Sequence, residues 1–341
     1  MREKEVNVLC IWKPNDILRN YLEEGLKGYH TVKLIFPEDL SEQILLELAP
    51  KADIIMGWRP SKELLNAATE LQLFINPGAG VQHLVPLFRE VTANRKITLV
   101  NGHGNAYFTA QHVVAILLAL MNKVILHHNW MVEGHWRRGD SFATSIPLRG
   151  KKVGLLGYGA VNRLVHTFLS GFDIDFSILR NNWSKQIEPL VTPAEQYSSE
   201  DLPKFLREID ILVVALPLTS VTEGLIQEKE LELLGEDSLL VNVGRGPIID
   251  EKSLFEALKE GKITGAAIDV WYNYQPEEDD KGKKYPSSYP FHELDNVILS
   301  PHRGASPMGD LKRWDEQIEN IRRFAKGKKK FLNEVNLEEG Y

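Results

Sequence analysis

The chain of 341 residues exceeds the usual size of a single domain, and this length predicts two domains. With 43% hydrophobic and 26% charged residues, it has the composition of an ordinary globular protein with enough apolar material for two cores. The formal net charge of −7 argues against nucleic acid or an anionic membrane surface as the main partner, although a local cationic pocket can still bind an anionic substrate.

Short apolar runs rich in β-branched residues alternate with amphipathic stretches along almost the whole chain. In the first third they predict strands at Val6–Trp12, Val32–Phe36, Asp53–Gly57, Leu71–Asn76 and Ile97–Asn101, with helices at Asn15–Leu26, Leu40–Leu48 and Lys62–Ala68. In the second half they predict strands at Lys152–Leu156, Asp175–Leu179, Ile211–Leu216, Ser238–Val243, Thr264–Val270 and Val297–Ser300. Alternation at this spacing indicates parallel sheets covered by helices on both faces.

Three further segments lie outside this alternation. Ala106–Glu133 has a helical pattern that is apolar nearly all round, which predicts a helix buried in a domain or subunit interface. The segment Pro276–Pro290 is charged and contains prolines, as is typical of a long surface loop. After Pro307, an amphipathic helix to about Ala325 is expected to pack back on the N-terminal domain.

The cysteine content and the N-terminal residues indicate the cellular compartment in which the protein is expected. The single cysteine, Cys10, cannot form an internal disulfide, and its apolar neighbours predict a buried thiol. No cluster of cysteines and histidines predicts a metal site. The first residues lack the apolar stretch of a signal peptide, and the longest apolar run, Val113–Met121, is too short to cross a bilayer. We therefore expect a cytoplasmic protein with no metal and no membrane partner.

The segment Lys152–Val165 (KVGLLGYGAVNRLV) combines a strand, a glycine turn and a helix. Gly157 and Gly159 occupy the first two positions of a GxGxxG motif, where they permit a tight turn and close approach of a pyrophosphate to the helix N-terminus. Asn162 replaces the third glycine. A purely structural turn fits the glycines alone about as well, but the flanking strand and helix favour a dinucleotide site.

The cofactor preference depends mainly on Arg180. In NAD-selective sites an acidic residue at the end of the second strand binds the ribose diol, whereas here that strand ends in Arg180. An arginine there would pair with a 2′-phosphate, which favours NADP(H) over NAD(H). The alternative is that Arg180 is a solvated surface residue and that the site accepts either cofactor.

Several blocks of sequence resemble one known family, the D-isomer-specific 2-hydroxyacid dehydrogenases. Val241–Trp271 closely matches the long signature of that family, and Asp210–Ile226, Asn76–Leu84 and Asn105–Val113 resemble three further blocks. Gln111 stands where a glutamate is usual. The resemblance covers nearly the whole chain, with the blocks in the expected order.

The resemblance implies an α/β fold of two Rossmann-like, doubly wound parallel-sheet domains. Residues 1–100 would form a flavodoxin-like substrate-binding domain, residues 101–305 an NAD(P)-binding Rossmann domain, and residues 306–341 a C-terminal helix that returns to the first domain. The active site would lie in the cleft between the domains. The resemblance also implies a homodimer, the usual oligomeric state of the family, and the apolar helix near Val113–Met121 is consistent with one.

The family chemistry needs a cation for the substrate carboxylate and an acid–base group for the carbonyl oxygen. Arg245, between two glycines at the end of a strand, suits the first task because a guanidinium grips a carboxylate at two points. His302, after the last strand, matches the family histidine and can give or take a proton near neutrality. The other nine histidines are expected in packing or on the surface.

The acidic partner that this family provides for its histidine has no direct match. The nearest residue is Gln275, in a Gln–Pro pair displaced by one position. A glutamine can hold the imidazole of His302 but adds no charge that favours imidazolium. The alternative partners are Glu277 and Glu278, on the loop that follows.

Two segments of the N-terminal domain are candidates for substrate binding. In Pro77-Gly78-Ala79-Gly80, consecutive backbone N–H groups could cradle a carboxylate, although a plain tight turn fits the sequence as well. Arg59, at the end of another strand, could contact the variable end of the substrate or lie in a surface loop.

On the cofactor side, the resemblance assigns contacts by position. It places Ala160 and Val161 at the pyrophosphate, Arg180 at the adenosine ribose and Thr222 at a phosphate. Residues bordering the nicotinamide half would be Leu216, Pro217, Val243, Gly244 and Asp269, together with Arg245 and His302.

The sequence thus predicts an oxidoreductase that moves a hydride between NADP(H) or NAD(H) and a small 2-hydroxy or 2-oxo acid. Gln275 also fits a dehydrogenase of another small oxyanion, such as formate or phosphite. A third reading, from a different class, is a nucleotide-sensing interaction module like the corepressors that resemble these enzymes.

Overall fold

The computed structural model describes residues 5–185, 189–305, 307 and 309–341. The chain divides into two compact units, each described here by itself. The first unit comprises Met1–Asn105 with Pro307–Tyr341, and the second comprises Ala106–Ser306. The sequence predicts domain boundaries at residues 100 and 305, and the structure divides the chain after Asn105 and after Ser306.

The first unit contains a five-stranded parallel sheet in the order β2-β1-β3-β4-β5. Its strands are β1 Val6–Cys10, β2 Val32–Ile35, β3 Ile54–Met56, β4 Leu73–Asn76 and β5 Thr98–Asn101. This is the flavodoxin-like strand order, so the predicted fold class is confirmed for this unit. All five predicted strands are present, and each is shorter than predicted at one or both ends.

Helices cover both faces of this sheet. They are α1 Asp16–Gly25, α2 Glu42–Leu48, α3 Lys62–Ala67, α4 Val85–Val91 and the C-terminal helix Asp315–Ala325. The sequence patterns predict all of these except α4. As expected, the C-terminal helix completes the unit, because Ile318 and Ile321 join the core that contains Leu22 of α1. Arg322 on this helix also donates to the carbonyl oxygen of Gly25 at the end of α1.

Two glycines permit the close approach of the C-terminal segment to the rest of the first unit. A Cβ atom at Gly104 would overlap the backbone carbonyl of Arg313, and one at Gly102 would overlap the carbonyl oxygen of Pro77. Any larger residue would therefore push the backbone segments apart.

The second unit contains a seven-stranded parallel sheet in the order β12-β11-β10-β9-β6-β7-β8. Its strands are β6 Lys152–Leu156, β7 Asp175–Leu179, β8 Glu195–Tyr197, β9 Ile211–Val214, β10 Leu239–Asn242, β11 Gly265–Ile268 and β12 Val297–Leu299. Counted from β6, this is the Rossmann order 3-2-1-4-5-6 with a seventh strand added, which confirms the fold class. The short strand β8 lies outside the sequence expectation.

The helices of the second unit are α5 Ala106–Met121, α6 Val124–Val132, α7 Ala160–Leu169, α8 Leu202–Arg207, α9 Glu228–Leu234 and α10 Glu251–Lys259. Single turns of 3₁₀ helix occur across both units at Ala49–Lys51, Trp183–Lys185, Ser199–Asp201, Gly246–Ile248, Phe291–Glu293 and Leu311–Trp314.

The long helix predicted over Ala106–Glu133 is two helices. Lys123 adopts a left-handed conformation with φ of 51°, which ends α5 and begins α6 in a new direction. The buried face of α5 includes Val113 and Leu117, whereas no side chain of α6 is buried. The expectation of one continuous helix is therefore wrong. Burial of α5 is confirmed within the unit, and burial of α6 in a subunit interface stays a prediction. Within the described ranges no single helix is long and apolar enough to span a membrane; α5 and α6 meet those criteria only when combined as a pair bent by 62°.

The sheet of the second unit brings distant segments together. Because parallel strands end at the same edge, the segments that follow β6, β9, β10, β11 and β12 lie side by side. Most of the candidate site residues from the sequence follow these strands.

Candidate active site

The glycine turn after β6 has the geometry that a dinucleotide requires. Gly157 has φ of 85°, a conformation that favours glycine, and a Cβ there would contact Leu216 at 2.7 Å. A Cβ at Gly159 would meet no heavy atom within 4 Å, so space is open above the turn. Gly159 is also the N-cap of α7 and supplies no side-chain cap, which leaves the first N–H groups of Ala160 and Val161 for an anion. These residues fit a pyrophosphate.

Asn162, which stands at the position of the third glycine of the motif, holds the glycine turn by hydrogen bonds. Its amide nitrogen donates to the carbonyl oxygens of Gly157 at 2.7 Å, Leu156 at 3.2 Å and Val213 at 3.3 Å. The buried side chain thereby ties the glycine turn to the ends of β6 and β9. The substitution therefore replaces close helix–strand packing with hydrogen bonds and does not disable the motif.

Arg180 lies directly after β7, at the edge where an adenosine ribose would bind. Its backbone N–H donates to the carbonyl oxygen of Tyr197, and its guanidinium lies 5.5 Å from the ring centroid of Trp183. Trp183 is in turn fixed by a bond from its indole nitrogen to the same carbonyl oxygen of Tyr197. The cation is therefore held at the end of β7 by aromatic stacking.

Leu216 connects the turns that follow three neighbouring strands. It lies against Gly157, and a Cβ at Gly244 would come within 2.8 Å of its carbonyl oxygen. Pro217 follows it, and its carbonyl oxygen accepts a bond of 2.6 Å from the hydroxyl of Thr222. Val243, the residue before Gly244, is buried at the end of β10.

The carboxylate of Asp269 anchors the loop that carries His302. It is 3% exposed and accepts from the backbone N–H groups of Arg303 at 2.6 Å and Gly304 at 2.9 Å, and also from the hydroxyl of Ser300. We call this arrangement the Asp269 clamp. Burial alone would raise the pKa of Asp269, but the hydrogen bonds outweigh burial and hold the pKa below its ordinary value. The clamp is therefore ionised at neutral pH.

His112 supports the clamp from α5. Its Nε2 lies 2.8 Å from the hydroxyl oxygen of Ser300 and 3.5 Å from Oδ1 of Asp269. No sequence pattern indicates this contact, and His112 is among the nine histidines for which the sequence predicts packing or surface positions. Only the fold places α5 beside the end of β11.

His302 lies within the clamped loop, between Ser300 and Arg303. Its φ of 56° is in the left-handed region, which is uncommon for a residue with a side chain. The clamp fixes the backbone on both sides of it and so maintains this conformation. Partial burial, opposed by Asp269 and reinforced by Arg245, lowers the pKa of the imidazole from its ordinary value.

Tyr274 is the hydrogen-bond partner of His302. Its hydroxyl oxygen lies 2.9 Å from Nδ1 of the imidazole, and the two rings meet edge to face. Of the partners considered from the sequence, Gln275 is the next residue along the chain, and its backbone N–H donates to the side chain of Asn273. Of the alternatives, Glu278 pairs with Lys284 at 3.1 Å.

Arg245 lies at the turn after β10. The side chain of Asn242 brackets this turn, accepting from the N–H of Gly244 and donating to the carbonyl oxygen of Arg245. At Gly246, a Cβ would overlap the backbone of Trp271, so glycine permits the turn to lie against the segment leading to Tyr274. Burial lowers the pKa of Arg245, and the nearby phenol of Tyr274 opposes that effect. The guanidinium remains a cation near His302.

In the first unit, the Pro77–Gly80 turn exposes its N–H groups. Asn76 donates to the carbonyl oxygens of Gly78 and Gly80, and Asn101 donates to that of Ala79. These bonds tie the carbonyl groups back towards the ends of β4 and β5. Among the described residues, the N–H groups of Ala79 and Gly80 have no acceptor within the protein, so the turn can receive a carboxylate.

Trp58 stands beside this turn. Its indole Nε1 would lie 3.4 Å from a Cβ at Gly78, and its ring packs edge-on against Trp12 and Trp314, which are stacked on each other. Arg59, the next residue, is exposed. The aromatic cluster was not anticipated, because its members are distant in sequence. Across the described residues, no group of three or more histidine, cysteine, aspartate or glutamate side chains could hold a metal ion.

Comparison with known proteins gives results for both sequence and fold. The family model described as D-isomer specific 2-hydroxyacid dehydrogenase, NAD binding domain, matches residues 114–304. The glyoxylate reductase of Thermococcus kodakarensis is 30% identical over 297 residues, which cover 84% of each chain. The glyoxylate/hydroxypyruvate reductase HPR3 of Arabidopsis thaliana is 28% identical over 266 residues, covering 76% of this chain and 75% of that protein.

A solved structure with a similar fold is that of a D-isomer specific 2-hydroxyacid dehydrogenase from Xanthobacter autotrophicus Py2, in complex with NADPH and MES. It has a TM-score of 0.76 and 24% sequence identity, and the match covers 99% of this chain and 100% of that one.

Proposed function

Because the chain belongs to the D-isomer-specific 2-hydroxyacid dehydrogenase family, we propose that it reduces small 2-oxo acids, of the glyoxylate and hydroxypyruvate type, to 2-hydroxy acids with NADPH. The observation that carries this proposal is the arrangement around His302. The Asp269 clamp fixes its loop, and its partner Tyr274 follows the segment against which the turn carrying Arg245 lies. A cation and an acid–base group are what reduction of a 2-oxo acid requires.

Arg245 would bind the substrate carboxylate and polarise the neighbouring carbonyl group. A planar guanidinium can donate two parallel hydrogen bonds to a carboxylate, which orients the substrate as well as binding it. His302 would donate a proton to the carbonyl oxygen as the carbon is reduced, and would take that proton back in the reverse direction. The clamp holds the histidine in place for both directions.

Cofactor binding is assigned to the second unit. Gly157, Gly159, Ala160 and Val161 would hold the pyrophosphate at the N-terminus of α7. A bound nicotinamide supplies the hydride. The residues proposed to border the nicotinamide half are Leu216, Pro217, Val243, Gly244 and Asp269, with Thr222 at a phosphate.

Substrate binding is assigned to the first unit as well as to Arg245. The N–H groups of Gly78, Ala79 and Gly80 would bind a carboxylate, and Arg59 would contact the variable end of the substrate. Trp58 adds a flat apolar wall beside this turn, with an indole N–H as a donor. These features suit a small substrate with a polar end.

The proposal is tested by NADPH oxidation against glyoxylate, hydroxypyruvate and larger 2-oxo acids, with the wild type, His302→Ala and His30→Ala. We expect turnover in the wild type and a fall in kcat of about a hundredfold to ten-thousandfold in His302→Ala, the range that a positioned acid–base group contributes. His30 is exposed in the first unit, so His30→Ala serves as the matched control and should retain wild-type rates. Equal rates in all three proteins would contradict the role of His302.

Two alternative functions give different outcomes in the same assay. Turnover of formate or phosphite, without turnover of any 2-oxo acid, would indicate a dehydrogenase of another oxyanion. Tight binding of NADPH with no turnover of any substrate would indicate a nucleotide-sensing module.

The preference for NADPH is proposed from Arg180 at the end of β7. Replacing it with alanine should weaken NADPH binding about tenfold to a hundredfold, since a hydrogen bond to a charged group contributes roughly 1.5–3 kcal/mol. NADH affinity should change less than about threefold, because the diol offers the cation no negative charge. Titration of cofactor fluorescence measures both, with the exposed Arg207→Ala on α8 as control. Equal losses for the two nucleotides would contradict the assignment.

We also propose a homodimer, formed through the apolar surface of α6 and the loop after it. This surface comprises Val124, Ile125, Met131, Val132, Trp136 and Phe142, which are 49–75% exposed. An exposed apolar patch of this kind marks an association surface. Light scattering of the wild type should give twice the mass of one chain. The double variant Val132→Asp, Trp136→Asp should give the mass of a single chain. The control Ile17→Asp, at an exposed apolar residue of the first unit, should remain dimeric. A monomeric wild type would contradict the proposal.

A further inference from the structure

The residue that bonds to the acid–base histidine is a tyrosine rather than a carboxylate. Building on the proposed role of His302, we propose that Tyr274 is its positioning residue: in the free enzyme, the hydroxyl donates to Nδ1 of the neutral imidazole and places the ring proton on Nε2. The hydroxyl turns and accepts from Nδ1 when the ring is protonated, and again when the ring has given its Nε2 proton to the substrate. The bond to Nδ1 leaves Nε2 for the substrate in each of these states.

The direction of this hydrogen bond follows from the second contact of the phenol. The backbone N–H of Trp271 donates to the hydroxyl oxygen of Tyr274 at 3.3 Å. The oxygen therefore already accepts one hydrogen bond, and its own proton needs an acceptor. Nδ1 of His302, at 2.9 Å, is that acceptor when the ring is neutral.

A hydroxyl can bond to Nδ1 whether or not that nitrogen carries a proton, whereas an ionised carboxylate can bond only to a protonated Nδ1. An ionised carboxylate only accepts, so it favours a ring that carries a proton on Nδ1. A hydroxyl turns about its C–O bond and either donates to Nδ1 or accepts from it. In the reduction, hydride adds to the carbonyl carbon, the carbonyl electron pair moves to oxygen, and the Nε2 proton of the imidazolium is transferred to that oxygen. The ring is then neutral, and its Nδ1–H donates to Tyr274.

The charges around His302 decide how readily the ring is protonated. The groups that face it are the uncharged phenol of Tyr274, the cation of Arg245 and the carboxylate of Asp269, with His112 behind that carboxylate and Arg303 next in sequence. Burial raises the pKa of Tyr274, so the phenol adds no negative charge at neutral pH. Burial and Arg245 outweigh Asp269 and lower the pKa of His302.

The lowered pKa of His302 determines how the rate of reduction depends on pH. Because reduction consumes the imidazolium, kcat/KM should fall as pH rises through the pKa of His302. That fall lies at lower pH here than it would with a carboxylate partner, which favours the charged ring. Tyr274→Glu should therefore raise the pKa of His302 and shift the fall upward by about one to three pH units, the usual effect of an adjacent opposite charge.

The test combines ¹⁵N chemical shifts of the imidazole with kinetics in the full-length protein. The His302 signals are assigned by their loss in His302→Asn. In the wild type, the neutral ring should carry its proton on Nε2. In Tyr274→Phe, the neutral ring should be a mixture of the two tautomers. The value of kcat should fall about tenfold to a hundredfold, which is part of the full contribution of an acid–base group, and KM should change less than about threefold.

Tyr272→Phe is the matched control. Tyr272 is two residues away and donates to the carbonyl oxygen of Ile249 instead of contacting His302, so both readouts should remain those of the wild type. A neutral wild-type ring with its proton on Nδ1, or a Tyr274→Glu variant with an unchanged His302 pKa, would overturn the proposal. Because the chemical shifts are measured without cofactor or substrate, they test the role of Tyr274 even if no 2-oxo acid is turned over.

Discussion

One buried carboxylate supports the rest of the proposed site. Asp269 accepts from the backbone on the far side of His302 and from the Ser300 hydroxyl on the near side, and it thereby fixes a left-handed residue that a free loop would rarely hold. A carboxylate suits this task because it presents two oxygens to several donors without a competing proton. The hydrogen bonds that it accepts also keep it ionised, so the clamp persists at neutral pH.

Parallel strands bring the remaining groups to the clamp. The turns after β6, β9 and β10 meet at one edge of the sheet, and glycine permits their close contact: Gly157 and Gly244 both lie against Leu216. Gly246 likewise permits the turn that carries Arg245 to lie against the segment leading to Tyr274. A few glycines therefore determine how near the guanidinium, the phenol and the imidazole approach one another. Burial is the main cause of the pKa shifts of all three groups, and their mutual charges modify those shifts. As we propose, their proximity also determines their chemistry.

The sequence predicted the two sheets well, because buried parallel strands are continuous apolar runs. It could not predict β8, since Glu195–Tyr197 is short and mostly polar. It also missed the break at Lys123, because the apolar pattern continues on both sides of a single left-handed residue. In the site, motif position pointed to Asp269 and His302, which the structure joins through the clamp, but not to Tyr274, which contacts the imidazole. Which of two adjacent side chains reaches an imidazole depends on a local turn at Asn273, and no periodicity reveals that turn.

The most direct measurement of the clamp is the steady-state kinetics of Asp269→Asn, together with its affinity for NADPH. The amide keeps one accepting oxygen but turns a donor towards a backbone N–H group, so the loop should lose its fixed conformation. We expect kcat for 2-oxo acid reduction to fall about tenfold to a hundredfold, which corresponds to one lost hydrogen bond to a charged group, and this fall should exceed any loss of NADPH affinity. An unchanged kcat, or a loss confined to NADPH affinity, would contradict the view that Asp269 acts by holding His302.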